Sequence, residues 1–470
     1  MPAGDSDGAP ADAEGSGVGR LPANKKTNFR VEMPNFSPFM IQEVEISKPL
    51  PAVSARDSAT GRIYQRALSL VRLHRLPLGL VELSLAENGL TAADYACRIW
   101  QVLGSKIGEH LRGDGLPEID QLGPAGIPVS GAPNCKQERE AFMAGAPFVS
   151  VVVATHDRPD SLVDCLESLR SLDYPDYEII VVDSAPSSRA TADLIRHRYS
   201  DIKQVRYLSE KLPGLAVAHN RGLTAVRAPV VAFTDDDVVA DTLWLAHLVK
   251  GFDVAGNVGC VTGMILPKEL ETQAQMWIEQ SGNLNKGFER RIFDLKANRP
   301  DDPLYPYAAG VFGTGANMAF RTSVLREIGG FDPALGTGSK GFGGDDLAAF
   351  FEVITRGYTL VYEPSAIIRH QHRRDYAGLR RLTYGYGVGL TAYLMKTLVD
   401  RPSRLLDFTA RIPYGLMYAM NPRSPKNFNK PNDYPRDLTR LERRGMLYGP
   451  LAYLSSRWRT RKTREDGWAI

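Results

Sequence analysis

The chain has 470 residues, about three times an ordinary domain, so more than one packed unit is expected. Its 57 Lys and Arg against 54 Asp and Glu leave a formal net charge of +3, which excludes a nucleic-acid binder acting through its whole surface. Cys97, Cys135, Cys165 and Cys260 form neither a CxxC pair nor a secreted-type framework, which points to a reducing, cytoplasmic compartment. Residues 1–25 are rich in Gly, Ala, Asp and Ser and read as a disordered tail, because so few apolar side chains cannot offset the entropy of ordering. They also lack the basic and apolar segments of a signal peptide.

Residues 26–115 read as a small α/β accessory domain. FMIQEVEI is a strand, RALSLVRL and LGLVELSL flank the turn HRLP, and a helix follows with Thr91 as its N-cap. Tyr95, Ile99, Val102, Leu103, Ile107 and Leu111 recur at three- and four-residue spacings on that helix, an apolar stripe suited to packing on strands. Residues 116–146 concentrate Gly and Pro and read as a linker.

From 147 to 375 strands alternate with helices. VSVVVAT, EIIVVD, VRYL and VVAFTD are short β-branched or apolar runs, separated by segments of helical spacing, and that order predicts a doubly wound, mostly parallel sheet. Ligands bind such sheets beyond the carboxyl ends of the strands, where Thr155, Asp157, Asp183 and Asp235 fall. Residues 376–470 form a basic, aromatic, helical C-terminal region with the glycine-spaced run YGYGVG. Its apolar pieces GLTAYLMKTLV and RIPYGLMYAM are too short to span a bilayer and suit either a position on an anionic membrane surface or packing against the preceding domain.

Three acidic or imidazole groups carry the chemistry. Asp235, Asp236 and Asp237 directly follow a buried strand; three adjacent carboxylates repel one another and call for a cation, and alternation lets Asp235 and Asp237 converge while Asp236 turns away. That pattern suits a hard ion such as Mg or Mn, with a solvated acidic turn as the alternative. Asp345 and Asp346 follow the glycine-rich GTGSKGFGG and open an apolar helix. One acid is expected to cap the helix and the other to face a cleft as general base, the glycines forming a lid. His370 and His372 end the strand TLVYEPSAIIRH on one side of an extended chain, a weak metal-binding signal by itself.

Taken in order, VSVVVATHDRPDSLVDCLESL, EIIVVDSAP, GLAVAHNRG, VVAFTDDDVV, GTGANMAFRTSVLREIGGFD, GGDDLAAFFEVITRGY and YEPSAIIRH resemble glycosyltransferase family 2, whose nucleotide-diphospho-sugar fold is called GT-A. The resemblance covers about half the chain. It implies that Thr155, Asp157, Arg158, Asp183, Asn220, Asp236, Asn317 and Asp345 bind the donor, that Asp235, Asp237 and His370 hold Mn or Mg, and that Asp346 is the catalytic base. His372 is then the lesser candidate as ligand. Two positions depart from the pattern: His219 stands where the family has arginine in an Ala-Arg-Asn motif, and Asp345–Asp346 replaces the commoner Glu-Asp.

The implied reaction is inverting transfer of a sugar from a nucleotide diphosphate to a hydroxyl of a glycan, lipid or small-molecule acceptor, in cell-envelope or polysaccharide synthesis, with peripheral contact at the inner face of the membrane and no nucleic-acid partner. The missing GxGxxG after the first strand argues against a dinucleotide oxidoreductase, and the missing Gly- and Arg-rich loop against a nucleotidyltransferase. The remaining alternative is a non-catalytic nucleotide-sugar or glycan-binding protein on the same fold.

Overall fold

The computed structural model describes residues 36–128, 131–282, 284–424, 426–428 and 430–465, so the expectation for residues 1–25 lies outside the described part. Strands β1 (Phe39–Glu45) and β2 (Arg66–Leu73) pair in parallel, and β2 pairs antiparallel with β3 (Leu76–Ser84). His74 and Arg75 join β2 to β3 with φ of 55° and 71°, the mirror-image geometry that a two-residue hairpin turn requires. Helix α1 (Ala92–Gly113) is capped by Thr91, whose hydroxyl accepts from the Asp94 amide at 3.1 Å. It buries Tyr95, Ile99, Leu103, Ile107 and Leu111 on the sheet, whereas Val102 is 45% exposed, one position around the helix from Leu103 and outside the contact stripe. The Gly- and Pro-rich stretch that reads as a linker contains an 11-residue helix, α2 (Asn134–Ala144).

The central layer is made by β4 (Val149–Thr155), β5 (Tyr177–Ser184), β6 (Val205–Glu210), β7 (Val230–Asp235), β8 (Val238–Ala240), β9 (Val258–Pro267), β10 (Arg291–Phe293), β11 (Asn317–Arg321) and β12 (Thr359–His370). Helices α3 (Pro159–Arg170), α4 (Ala190–Arg198), α5 (Leu215–Ala225), α6 (Trp244–Lys250), α7 (Gln273–Gly282), α8 (Thr322–Glu327) and α9 (Asp345–Thr355) connect and cover these strands. Strand order is β10-β12-β9-β11-β7-β4-β5-β6, with β8 pairing β12. Val152, Ile180 and Phe233 join one hydrophobic core while Val151, Ile179 and Ala232 join the other, so alternate residues of one strand serve opposite faces. Burial on both sides explains why these strands read as unbroken apolar runs.

Directions within the sheet decide where the chemistry gathers. β4 is parallel to β5 and β7, and β9 is parallel to β12. β11 runs antiparallel to both β7 and β9, so β9 and β12 share the direction of β7. Thr155, Asp235 and His370, the last residues of β4, β7 and β12, therefore lie along one edge, the carboxyl edge where a doubly wound sheet takes its ligand. The sheet is the mostly parallel arrangement expected above. The N-terminal strands grip it from behind: Arg72, 7% exposed, pairs with Asp241 just after β8 at 2.6 Å, and Arg369 of β12 pairs with Glu43 of β1 at 2.9 Å.

The C-terminal region folds as α10 (Tyr376–Asp400), α11 (Leu405–Met420) and α12 (Arg436–Glu465). The run YGYGVG is a helix-crossing seam, because a Cβ at Gly387 would strike the Glu442 carbonyl and one at Gly445 the Tyr384 carbonyl. Val388, Ala392 and Tyr393 of α10 are buried, whereas α11 buries no residue and leaves Leu406 82% exposed. The two apolar pieces thus differ: the first packs and the second faces outward. Among the described residues no helix is long and apolar enough to cross a membrane.

Candidate active site

At the end of β7, Asp235 and Asp237 face His370. The His370 Nε2 atom lies 3.2 Å from Asp237 Oδ1 and 3.9 Å from Asp235 Oδ2, and one ligand atom from each of the three residues lies within 4.8 Å of the others. Asp236 points elsewhere, accepting from the Thr155 hydroxyl at 2.7 Å and from Arg158 at 2.9 Å. Burial, followed by repulsion from Asp237, pushes the Asp235 carboxyl up to about 7. Burial acts the same way on Asp237, but its hydrogen bond from His370 and the charges of His370 and Arg158 outweigh that and hold it well below the usual carboxylate range. Two carboxylates and an imidazole form an oxygen-rich set that fits Mn or Mg, and a cation there would relieve the repulsion between Asp235 and Asp237.

Around the end of β4 stand the other sequence candidates. Arg158 bridges Asp236 and Asp237 at 2.9 Å each. Asp157 is exposed in a left-handed conformation (φ 51°) and accepts from the Ser187 amide at 3.0 Å. Asp183, fully buried, accepts from the Tyr207 hydroxyl at 2.9 Å, and its other oxygen has no partner among the described residues. Burial raises its carboxyl above the ordinary value.

Across the cleft the N-cap of α9 is Gly344, in the left-handed region at φ 83°, rather than either acid. A Cβ there would strike the Gly389 carbonyl, so close packing against α10 accounts for this glycine without a lid. Asp345 is buried and its Oδ2, 3.9 Å from His219 Nδ1, has no hydrogen-bond partner among the described residues, whereas Asp346 is partly open and accepts from the amides of Gly315 and Leu347 at 2.8 Å each. Burial and then Asp346 push Asp345 up to about 8. Burial also raises Asp346, opposed by those amide hydrogen bonds and by Lys286. Asp345 also feels, more weakly, the charge of Asp235.

Three candidates are braces inside the protein. The amide of Asn317 is fully buried, donates to Met264 and Ala366 carbonyls and accepts from the Trp244 indole at 2.8 Å each, leaving it out of reach of a donor. Asn220 exchanges hydrogen bonds with the Phe331 backbone at 2.7 and 2.9 Å. His372 is fixed by a 3.1 Å hydrogen bond to the accepting Glu279 carboxylate, its ring 5.6 Å from that of His370. His219, in place of the arginine, is caged by Phe233 and Phe331, and burial drives its imidazole down to about 3, so it is neutral. Sequence reading missed Arg373, 3.9 Å from Asp237, and Lys286, within electrostatic reach of Asp346. The basic pair after HQH hinted at the first; Lys286 sits in a loop without a motif.

Comparison with known proteins agrees with the motif order. Residues 150–329 match the family model described as glycosyl transferase family 2. The chain is 27% identical over 240 residues to the pre-mycofactocin glycosyltransferase of Mycobacterium tuberculosis, covering 50% of this chain and 46% of that protein. It is 22% identical over 317 residues to the glucosyl-dolichyl phosphate glucuronosyltransferase of Haloferax volcanii, covering 58% of this chain and 96% of that protein. The match thus spans about half the length of the Mycobacterium relative. Among solved structures, the chain is similar to a mannosyltransferase from Pyrobaculum calidifontis in complex with GDP-Man and Mn2+, with 19% identity and a TM-score of 0.38, covering 69% of this chain and 76% of that one.

Proposed function

Residues 150–329 of this chain belong to glycosyl transferase family 2, and on that premise we propose that the protein is an inverting glycosyltransferase that moves a sugar from a nucleotide diphosphate to an acceptor hydroxyl in glycan synthesis. The observation that carries this reading is the convergence of a ligand set, Asp235, Asp237 and His370, at the carboxyl edge of the sheet, beside a separate, partly exposed acid, Asp346, that two backbone amides hold in place. Thr155 and Asp183, at the carboxyl ends of β4 and β5, and the exposed Asp157 support a nucleoside position beyond those strands, with Asp183 acting from beneath it because it is fully buried. Mn or Mg held by Asp235, Asp237 and His370 would neutralise charge on the leaving diphosphate.

The chain's own residues supply the rest. Arg158 and Arg373 add positive charge beside the same acids and favour an anionic donor there. Asp346, its oxygens oriented by two backbone amides, takes the proton of the attacking hydroxyl. Asp345 is too buried to attack a sugar, and a single working carboxylate without a second as nucleophile implies inversion, by the logic that separates one-step from two-step glycosidases. The named relatives act on unlike acceptors, so the shared property carried to this chain is donor chemistry. A panel of nucleotide sugars, read by thermal stabilisation and by hydrolysis with Mn present, tests the proposal; stabilisation by none of them would refute it.

Helix α11 adds a place for the enzyme to work. Leu406, Leu416, Met417 and Met420 are all more than half exposed, an apolar surface suited to a bilayer interface. Co-sedimentation with phosphatidylglycerol vesicles, weakened by Leu406→Ser with Met417→Ser, is the expected result. Equal recovery of the parent and the variant would remove the membrane from the picture.

A further inference from the structure

A second convergence of metal-type ligands lies in the N-terminal layer, on residues that no part of the transfer reaction uses. His74 comes from the β2–β3 turn, His110 from the last turn of α1, Asp114 from the position that ends α1, and Cys135 from the first turn of α2. One ligand atom from each lies within 4.8 Å of all the others. Asp114 Oδ2 is at the centre, 2.6 Å from His74 Nδ1, 3.0 Å from His110 Nε2 and 3.1 Å from Cys135 Sγ. The two imidazole nitrogens face each other at 3.1 Å. His74 and Asp114 are 8% and 5% exposed.

We propose that His74, His110, Asp114 and Cys135 form a closed, four-coordinate site for a thiophilic transition metal, zinc, that fastens the hairpin turn and the end of α1 to the segment leading into β4. Two imidazoles, one thiolate and one carboxylate are a complete tetrahedral zinc set with no position left for a substrate, the mark of a structural site. The thiolate and carboxylate would balance the charge of the ion, which matters in so enclosed a place. Zinc bonds of about 2.0–2.3 Å set neighbouring ligand atoms roughly 3.3–3.6 Å apart, so the three short contacts around Asp114 need to open by less than ~1 Å. Its supports are already built. Asp114 Oδ1 accepts from the Cys135 amide at 2.8 Å, Glu45 holds the amides of His74 and Arg75 at 3.0 and 2.8 Å, and Arg139 donates to the His74 carbonyl at 3.2 Å. Glu45 and Arg139 thereby fix the backbone of His74 within the hairpin turn.

A proton-sharing network without an ion is the competing reading, and cobalt separates the two. The full chain, freed of loosely held metal, is expected to retain about one zinc per molecule. When loaded with cobalt it should show a thiolate-to-metal charge-transfer band together with the intense visible absorption of a tetrahedral centre. The acidic site at β7 contains no thiol and cannot produce that band. Cys135→Ser should abolish it and lower retained zinc at least tenfold, His110→Ala should weaken it, and Cys97→Ser should leave it intact. Absence of the band in the parent chain, or its survival in Cys135→Ser, overturns the proposal. Because the parent spectrum alone already decides between ion and network, failure of a variant to fold leaves the answer unaffected.

Discussion

The acidic edge of the central sheet and the His–Cys knot beneath the N-terminal hairpin both gather ligand atoms from distant segments, but they are built for opposite purposes. At the sheet edge the ligands are two carboxylates and one imidazole, with the side chains of Asp235 and His370 still 30% and 21% exposed and basic groups arranged outside them. In the knot the set includes sulfur, and the side chains of His74 and Asp114 are each 4% exposed. The contrast lies in ligand type more than in exposure, because Asp237 at the edge is 7% exposed and His110 in the knot 12%: hard oxygen ligands suit an ion that would also take a diphosphate, whereas a set with sulfur suits one that would only join segments.

The sharpest way to break this division is at the base. Asp346→Asn should lower transfer by about 10²–10⁴-fold, the usual worth of general-base catalysis, while donor affinity measured by calorimetry stays near the parent value. Unchanged turnover would move the base elsewhere. Next in size, Asp237→Ala should weaken Mn-dependent donor binding by more than the ~10–100-fold that loss of a mere supporting partner costs, and should leave retained zinc untouched. Loss of zinc in that variant would merge the two sites into one.

The knot predicts a smaller effect on a different scale. Removing its ion with a strong chelator should lower the thermal midpoint by a few degrees, on the order of the ~2.7 kcal/mol that a ligand at 100 times its dissociation constant contributes, and Cys135→Ser should be insensitive to the same treatment. A midpoint that ignores the chelator in the parent chain would count against a structural ion. Smallest is a shift in pH dependence. Asp346 must be ionised to act, so transfer is lost as pH falls through its raised value, and Lys286 holds that value down. Lys286→Met should therefore move the acidic limb of kcat to higher pH, with the plateau preserved. A limb that stays in place would show that Lys286 is not felt by the base.

Much of this architecture was legible from pattern. The unbroken β-branched runs announce buried parallel strands, Thr91 announces the start of α1, and three adjacent acids after VVAF announce a charged strand end. Less legible was any feature that depends on packing between segments. Asn317 and Asn220 carry motif positions, yet the structure uses both as internal braces. Val102 satisfies the helical period but falls beside the contact stripe, and the glycines before Asp345 suggested a lid where Gly344 in fact meets the backbone of α10. The His–Cys knot went unread because its members are separated by 36, 4 and 21 positions, with no spacing that resembles a zinc motif.

By itself the sequence determined which segments become strands and helices and which short runs carry charge, since side-chain period and backbone preference act over a few residues. Only the tertiary structure decided that His370 returns to Asp237, that Arg158, Arg373 and Lys286 surround the acids, and that His74 meets Cys135. Those meetings depend on the direction and order of strands, set by the burial of whole faces against one another, and no local pattern encodes them.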